Sequence, residues 1–168
     1  MPPHVFVDES KRRGLLMVAV TLASTDLTTV RSAVRSLHLR HQRRIHFVKE
    51  STGRKSTILD TVLAAPLEVR LYDCGAERHQ LAAREACLAR MVEDLAASGA
   101  ERLVIEREDS TLAHDERTLH AATGKLGVRG QLRYDHLRAA EEALLALPDA
   151  VAWCWARAVP GDRRCGRS

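Results

Sequence analysis

Aromatic side chains are scarce: two Trp, two Tyr and two Phe make up 4% of the 168 residues. So few rings argue against an interface built mainly on stacked bases, and Trp153 and Trp155, on an apolar helical stretch, read as packing residues. Cysteine is also sparse. Cys74, Cys87, Cys154 and Cys165 form no C-x-x-C pair, which argues against a zinc knuckle or a redox motif and leaves reduced thiols as the expectation. Long apolar runs are missing too. The longest uncharged stretch, residues 14–25, falls short of the roughly 20 residues needed to cross a bilayer. Met1-Pro2-Pro3-His4 lacks the charged start and apolar continuation of a signal peptide, so a cytoplasmic protein with no membrane association is expected. No G-x-S-x-G or Walker run is present. Gly124, Gly127 and Gly130 come nearest to a phosphate loop but follow no apolar strand.

What is present is an ordinary globular composition, 45% hydrophobic and 29% charged. The length suits one domain, taken as residues 1–160, followed by a basic tail over 161–168. The net charge of +4 hides an asymmetry. Residues 1–60 hold 11 Lys+Arg against 5 Asp+Glu, residues 61–156 hold 11 against 16, and residues 157–168 hold 4 against 1. The basic groups cluster at Lys11, Arg12 and Arg13, at Arg40, Arg43 and Arg44, and at Lys49, Arg54 and Lys55. Such clusters can grip phosphates or simply line solvated loops.

Hydrophobic periodicity places strands at residues 5–7 and 15–22, joined as a hairpin with Gly14 at the turn, then at 44–48, 67–72, 103–105 and 132–137. Helices are expected over 26–39, from Ser51 or Thr52 to Pro66, over 77–97, over 113–123 and over 143–158, the last interrupted by Pro148. Strands alternating with helices after an opening hairpin imply an α/β fold, a mixed sheet flanked by helices.

Four acids stand where these elements begin or end: Asp8 after the first strand, Glu50 after the third, Glu106 closing a central strand and Asp149 after Pro148. Acids brought to one sheet edge are what metal-assisted phosphodiester hydrolysis needs, and hard oxygen ligands suit Mg²⁺ or Mn²⁺ rather than zinc. Each also has a structural reading, as turn chemistry for Asp8-Glu9-Ser10 or as a first-turn helix acid for Asp149. His46, four residues before Glu50, is either a general acid or phosphate contact or a structural group. His38, His41, His79, His114, His120 and His136 have no ligand-like spacing.

The order Val5-Phe6-Val7-Asp8-Glu9-Ser10, a second apolar strand, Ile45-His46-Phe47 with Glu50 nearby, Glu106 closing a later strand, and Leu147-Pro148-Asp149-Ala150-Val151-Ala152-Trp153 resembles the DUF3800 family over residues 4–158. The resemblance implies an RNase H-like fold in which a hairpin-led mixed sheet carries a metal-binding cluster of acids. It casts Asp8 as the first-strand aspartate, Glu106 as the central-strand acid and Asp149 as the acid of the last helix, with His46 and Glu50 as a further site segment. Lys11 stands where many relatives have glycine, Glu106 where aspartate is common, and Pro148 where a small residue is usual.

Two functions follow as expectations. The first is a metal-dependent nuclease. Asp8, Glu106 and Asp149 bind Mg²⁺ or Mn²⁺, Glu50 and His46 assist, and Lys11, Arg12, Arg13, Arg44, Lys49, Arg54 and Lys55 hold a DNA or RNA strand. The second, prompted by the departures from the family pattern, is a non-catalytic RNase H-like module that binds nucleic acid or protein. Either leaves room for a homo-oligomer. An actin-like ATPase is set aside, because the chain is too short for the two domains between which such enzymes hold nucleotide.

Overall fold

A computed structural model describes residues 1–12, 14–75 and 80–158. Five strands, β1 (Pro3–Ser10), β2 (Leu16–Ala23), β3 (Leu67–Asp73), β4 (Arg102–Glu106) and β5 (Arg133–Leu137), form one sheet in the order β3-β2-β1-β4-β5. β1 pairs antiparallel with β2 and parallel with β4; β2 pairs antiparallel with β3, and β4 parallel with β5. The opening hairpin is as expected, with Gly14 at a positive φ of 95°.

Five helices cover the sheet: α1 (Leu27–Ser36), α2 (Thr52–Ala64), α3 (Gln80–Ser98), α4 (Leu112–Lys125) and α5 (Ala146–Ala158). The start expected for α3 at Glu77 and the basic tail over 161–168 lie outside the described residues. α2 begins as its sequence signals: the Ser51 hydroxyl accepts from the Arg54 amide at 3.3 Å. Pro148 does not interrupt a longer helix. Residues Ala143–Leu145 make a 3-10 turn, and Pro148 falls in the first turn of α5, where its missing N–H leaves no hydrogen bond unmade.

The central strand is buried on both faces, and its alternation sorts the core into two layers. Phe6, with Val18, Val20, Leu22 and Val104, packs against Val30, Val34, Ile58, Leu147 and Ala150 of α1, α2 and α5. Val5 and Val7, with Met17, Leu103 and Ile105, pack against Leu88, Met91, Val92, Leu95 and Leu119 of α3 and α4. Each such side chain contributes about 1.5–3 kcal/mol relative to exposure. The same alternation fixes the site: Asp8 continues the Phe6 face toward α5, and Glu9 continues the Val7 face toward α3.

Two expectations are corrected. Residues 44–48 form no strand; the chain passes there as a loop into a 3-10 turn at Phe47–Lys49. Ile45 and Phe47 are buried between partly exposed Arg44 and His46, which produces strand-like alternation without a neighbouring strand. Cys74 and Cys87 are joined as a disulfide rather than standing as free thiols, while Cys87 still belongs to the core of the α3 face. Among the described residues, no helix is long and apolar enough to cross a membrane.

Candidate active site

β1 and β4 run parallel with Val7 opposite Ile105. β1 runs on past Asp8 to Ser10, further than the sequence pattern places its end; one step beyond the Val7–Ile105 pair, Asp8 stands beside Glu106, the last residue of β4, on the face covered by α5. Neighbouring strands lie about 4.8 Å apart, so two acids at this position are forced together. α5 supplies the third from its first turn, Asp149. The three carboxylates line one open cleft of about 340 Å³, to which the loop before α2 contributes Arg44 and His46 and the hairpin contributes Glu9 and Lys11. Arg107 and Glu108, just beyond β4, complete its rim.

The polar contacts of the cleft are specific. The Glu9 amide donates to Asp8 Oδ1 at 2.7 Å, and the Phe47 amide donates to Asp149 Oδ2 at 2.9 Å. Arg44 Nη1 lies 3.4 Å from Glu106 Oε1, and its Nη2 lies 3.4 Å from His46 Nδ1. His46 Nδ1 is 3.9 Å from Asp149 Oδ2. Among the described residues the buried Arg44 Nε has no hydrogen-bond partner.

Positive charge is short here. Burial, then the charge of Glu106 and a hydrogen bond shared with it, then Asp149 push the Asp8 carboxyl up to about 9, against the charge of Arg44. Burial also raises Asp149, against the Phe47 amide, His46 and Arg44. At neutral pH the cleft therefore retains a proton that a cation could displace.

Among the described residues, no three Asp, Glu, His or Cys side chains converge closely enough to hold a metal ion as they stand. The donors nevertheless fit a hard divalent cation in kind, being carboxylates from three separate elements with too little positive charge of their own.

The other candidates lie elsewhere. Glu50 does not line the cleft. Its carboxylate accepts from Gln42 Nε2 at 2.6 Å and from Arg54 Nε at 3.0 Å, and Arg54 also donates to the Leu37 carbonyl at 2.7 Å. Glu50 and Arg54 thus brace the loop that carries Arg44 and His46. Lys11 pairs with Glu9 at 3.1 Å at the rim. Arg12 is exposed on the hairpin beside a second hollow of about 240 Å³ that includes Trp155. Arg13 lies outside the described residues. Lys49 is exposed on the 3-10 turn, and the Lys55 ammonium sits over the Trp153 ring.

Sequence reasoning missed a buried network behind the cleft. Arg84 of α3 forks onto Asp115 of α4, with Nε and Nη2 at 2.6 and 2.7 Å from the two carboxylate oxygens, and its Nη1 donates to Glu9. His136 Nε2 lies 3.4 Å from Asp115. Burial would raise the Asp115 carboxyl, but Arg84 and His136 hold it below the usual range. The signal was available: Arg84 stands at helical spacing with Cys87, Leu88 and Met91 on the apolar stripe of α3, a place an unpaired charge does not occupy.

No protein-family model matches the sequence. No curated protein matches it either. Among solved structures, the chain is similar to one in the PCNA:RNase HII complex from Archaeoglobus fulgidus, with 16% sequence identity and a TM-score of 0.56, over 94% of this chain and 72% of that one. The strand order, the hairpin-led mixed sheet and this similarity agree: the fold is RNase H-like.

Proposed function

We propose that the protein is a metal-dependent nuclease that hydrolyses phosphodiester bonds in DNA or RNA. The observation that carries this reading is the meeting of Asp8, Glu106 and Asp149, from β1, β4 and α5, in one open cleft. In the proposal these three carboxylates hold Mg²⁺ or Mn²⁺, which supplies Lewis-acid polarisation of a phosphoryl oxygen and a more acidic bound water. Arg44, released from Glu106 by the cation, faces a bound phosphate. His46, partly exposed beside Asp149, serves as a general acid or phosphate contact. Glu50 acts at one remove, holding Arg54 and through it the loop that carries His46. Lys11 and Lys49 attract the strand.

The test is cleavage of single- and double-stranded DNA and RNA with Mg²⁺ or Mn²⁺. Asp8→Asn, which keeps the side chain's size, is expected to lower the rate at least 100-fold with the fold intact. Undiminished, divalent-dependent cleavage by purified Asp8→Asn protein would overturn the assignment.

One observation favours a second reading, a non-catalytic module that binds nucleic acid. The Arg44 guanidinium already lies against Glu106 and beside His46. If Arg44 is a permanent counter-ion, the wild type binds nucleic acid with salt-dependent affinity and cleaves nothing with any divalent ion.

A further inference from the structure

Asp149, Trp153 and Arg157 recur every four residues, which places them on one face of α5, so this face leads away from the acids along the helix. Phe47 ties its beginning to the cleft, because its amide bonds Asp149 while its ring packs edge-on against Trp153, with centroids 5.1 Å apart. Two cations meet on the Trp153 ring. The Lys55 ammonium, reaching across from α2, lies 4.7 Å from the ring centroid, and the Arg157 guanidinium carbon lies 4.3 Å from it.

Neither cation pairs with a carboxylate among the described residues, unlike Arg54, Arg31 and Arg102, which are committed to Glu50, Glu142 and Asp135. Lys55 has only the Val48 carbonyl at 3.3 Å. The indole thus holds two positive groups side by side without neutralising them. Stacking restricts their rotamers while leaving the N–H edge of the guanidinium free for an oxyanion.

We propose that Lys55 and Arg157, mounted on Trp153, form a phosphate-binding station for the nucleic-acid strand whose reacting phosphodiester lies at the Asp149 end of α5. This rests on the nuclease reading for the identity of the strand. The helix rises about 5.4 Å per turn, so Trp153 and Arg157 stand one and two turns from the acid, a span of about two to three nucleotides at roughly 3.4 Å each. The station grips backbone phosphate, not bases, since the Trp153 ring is already engaged by both cations and Phe47. It therefore supplies affinity and orientation without sequence preference.

The test measures binding of fluorescein-labelled oligothymidylate and oligouridylate in EDTA across a salt series, so that cleavage plays no part. Removing both charges in Lys55→Gln/Arg157→Gln is expected to weaken binding about tenfold or more at low salt and to reduce the magnitude of the log–log salt slope by about 1.4. The charge-preserving Lys55→Arg/Arg157→Lys protein keeps the wild-type slope, as does Arg117→Gln/Lys125→Gln on α4 at the opposite face. Circular dichroism and thermal unfolding check that the Lys55→Gln/Arg157→Gln protein keeps its fold. A wild-type slope in that protein, or an equal loss in the α4 control, overturns the station. If the Lys55→Gln/Arg157→Gln protein loses affinity as described while the wild type cleaves no nucleic acid with any divalent ion, the station stands and the nuclease reading alone is overturned.

Discussion

The backbone amide of Phe47 donates to the carboxylate of Asp149 across 102 positions of sequence, tying the loop before α2 to the first turn of the last helix. The bond explains two features together. It holds Arg44 and His46 over the cleft, and it occupies a main-chain donor that a strand at 44–48 would have given to a neighbour. Asp149 thus has a structural task beside the proposed chemical one, and substitutions separate them. Asp149→Asn retains an acceptor and is expected to leave stability within about 1 kcal/mol, whereas Asp149→Ala leaves the amide unsatisfied and costs about 1–3 kcal/mol. Urea unfolding reads the stability difference, and both variants are expected to lose divalent-dependent cleavage.

The raised carboxyls predict an unusual pH dependence. Asp8 is pushed up to about 9 in the folded protein, while an unfolded aspartate titrates near 4. Between these values the folded state holds a proton that the unfolded state has lost, so this group's stability contribution is complete below about pH 4 and is lost as pH rises toward 9. The slope is at most about 1.4 kcal/mol per pH unit, and Asp149, also raised, acts in the same direction. Chemical denaturation in EDTA at a series of pH values is expected to show falling stability across this window. Asp8→Asn flattens the profile. An unchanged profile in that variant contradicts the pairing of Asp8 with Glu106.

Arg84 joins two helices and a strand through Asp115 and Glu9, with Arg84 and Asp115 buried. Arg84→Ala leaves the Asp115 charge without its principal partner and is expected to destabilise the fold by about 3–5 kcal/mol. The double variant Arg84→Met/Asp115→Leu recovers much of this, because replacing both partners leaves no unpaired buried charge. Thermal and urea unfolding of the two proteins provide the comparison.

Glu50→Gln tests whether this acid is a brace or a ligand. As a brace, the substitution weakens a charge-assisted bond to Arg54, costs about 1–2 kcal/mol and leaves kcat for cleavage within a few-fold of wild type. A loss of cleavage comparable with that of Asp8→Asn, at unchanged stability, returns Glu50 to the catalytic set.

The sequence was most legible where local pattern and tertiary role coincide. The near-continuous apolar run of β2 and the β-branched centre of β1 needed only burial on both faces; Glu106 closes β4 as the pattern implies, while β1 runs two residues past Asp8 to Ser10. Residues 44–48 misled because burial of Ile45 and Phe47 against helices imitates strand alternation, and periodicity carries no information about a hydrogen-bonding neighbour. Glu50 was misplaced with that segment, since its partners Gln42 and Arg54 meet only once the loop folds back. The Arg84–Asp115 pair joins two helices 31 positions apart, so its charge was visible on the α3 stripe but its partner was not. The Cys74–Cys87 disulfide joins the end of β3 to α3, a proximity that a spacing of 13 does not disclose.

The proposed cation site lined by Asp8, Glu106 and Asp149 is tested most directly by anomalous diffraction from crystals soaked in Mn²⁺. The account predicts a peak in the cleft in contact with Asp8, Glu106 and Asp149, with Arg44 displaced from Glu106, and no peak in Asp8→Asn crystals. Absence of a peak at saturating Mn²⁺, with Arg44 still against Glu106, would contradict it.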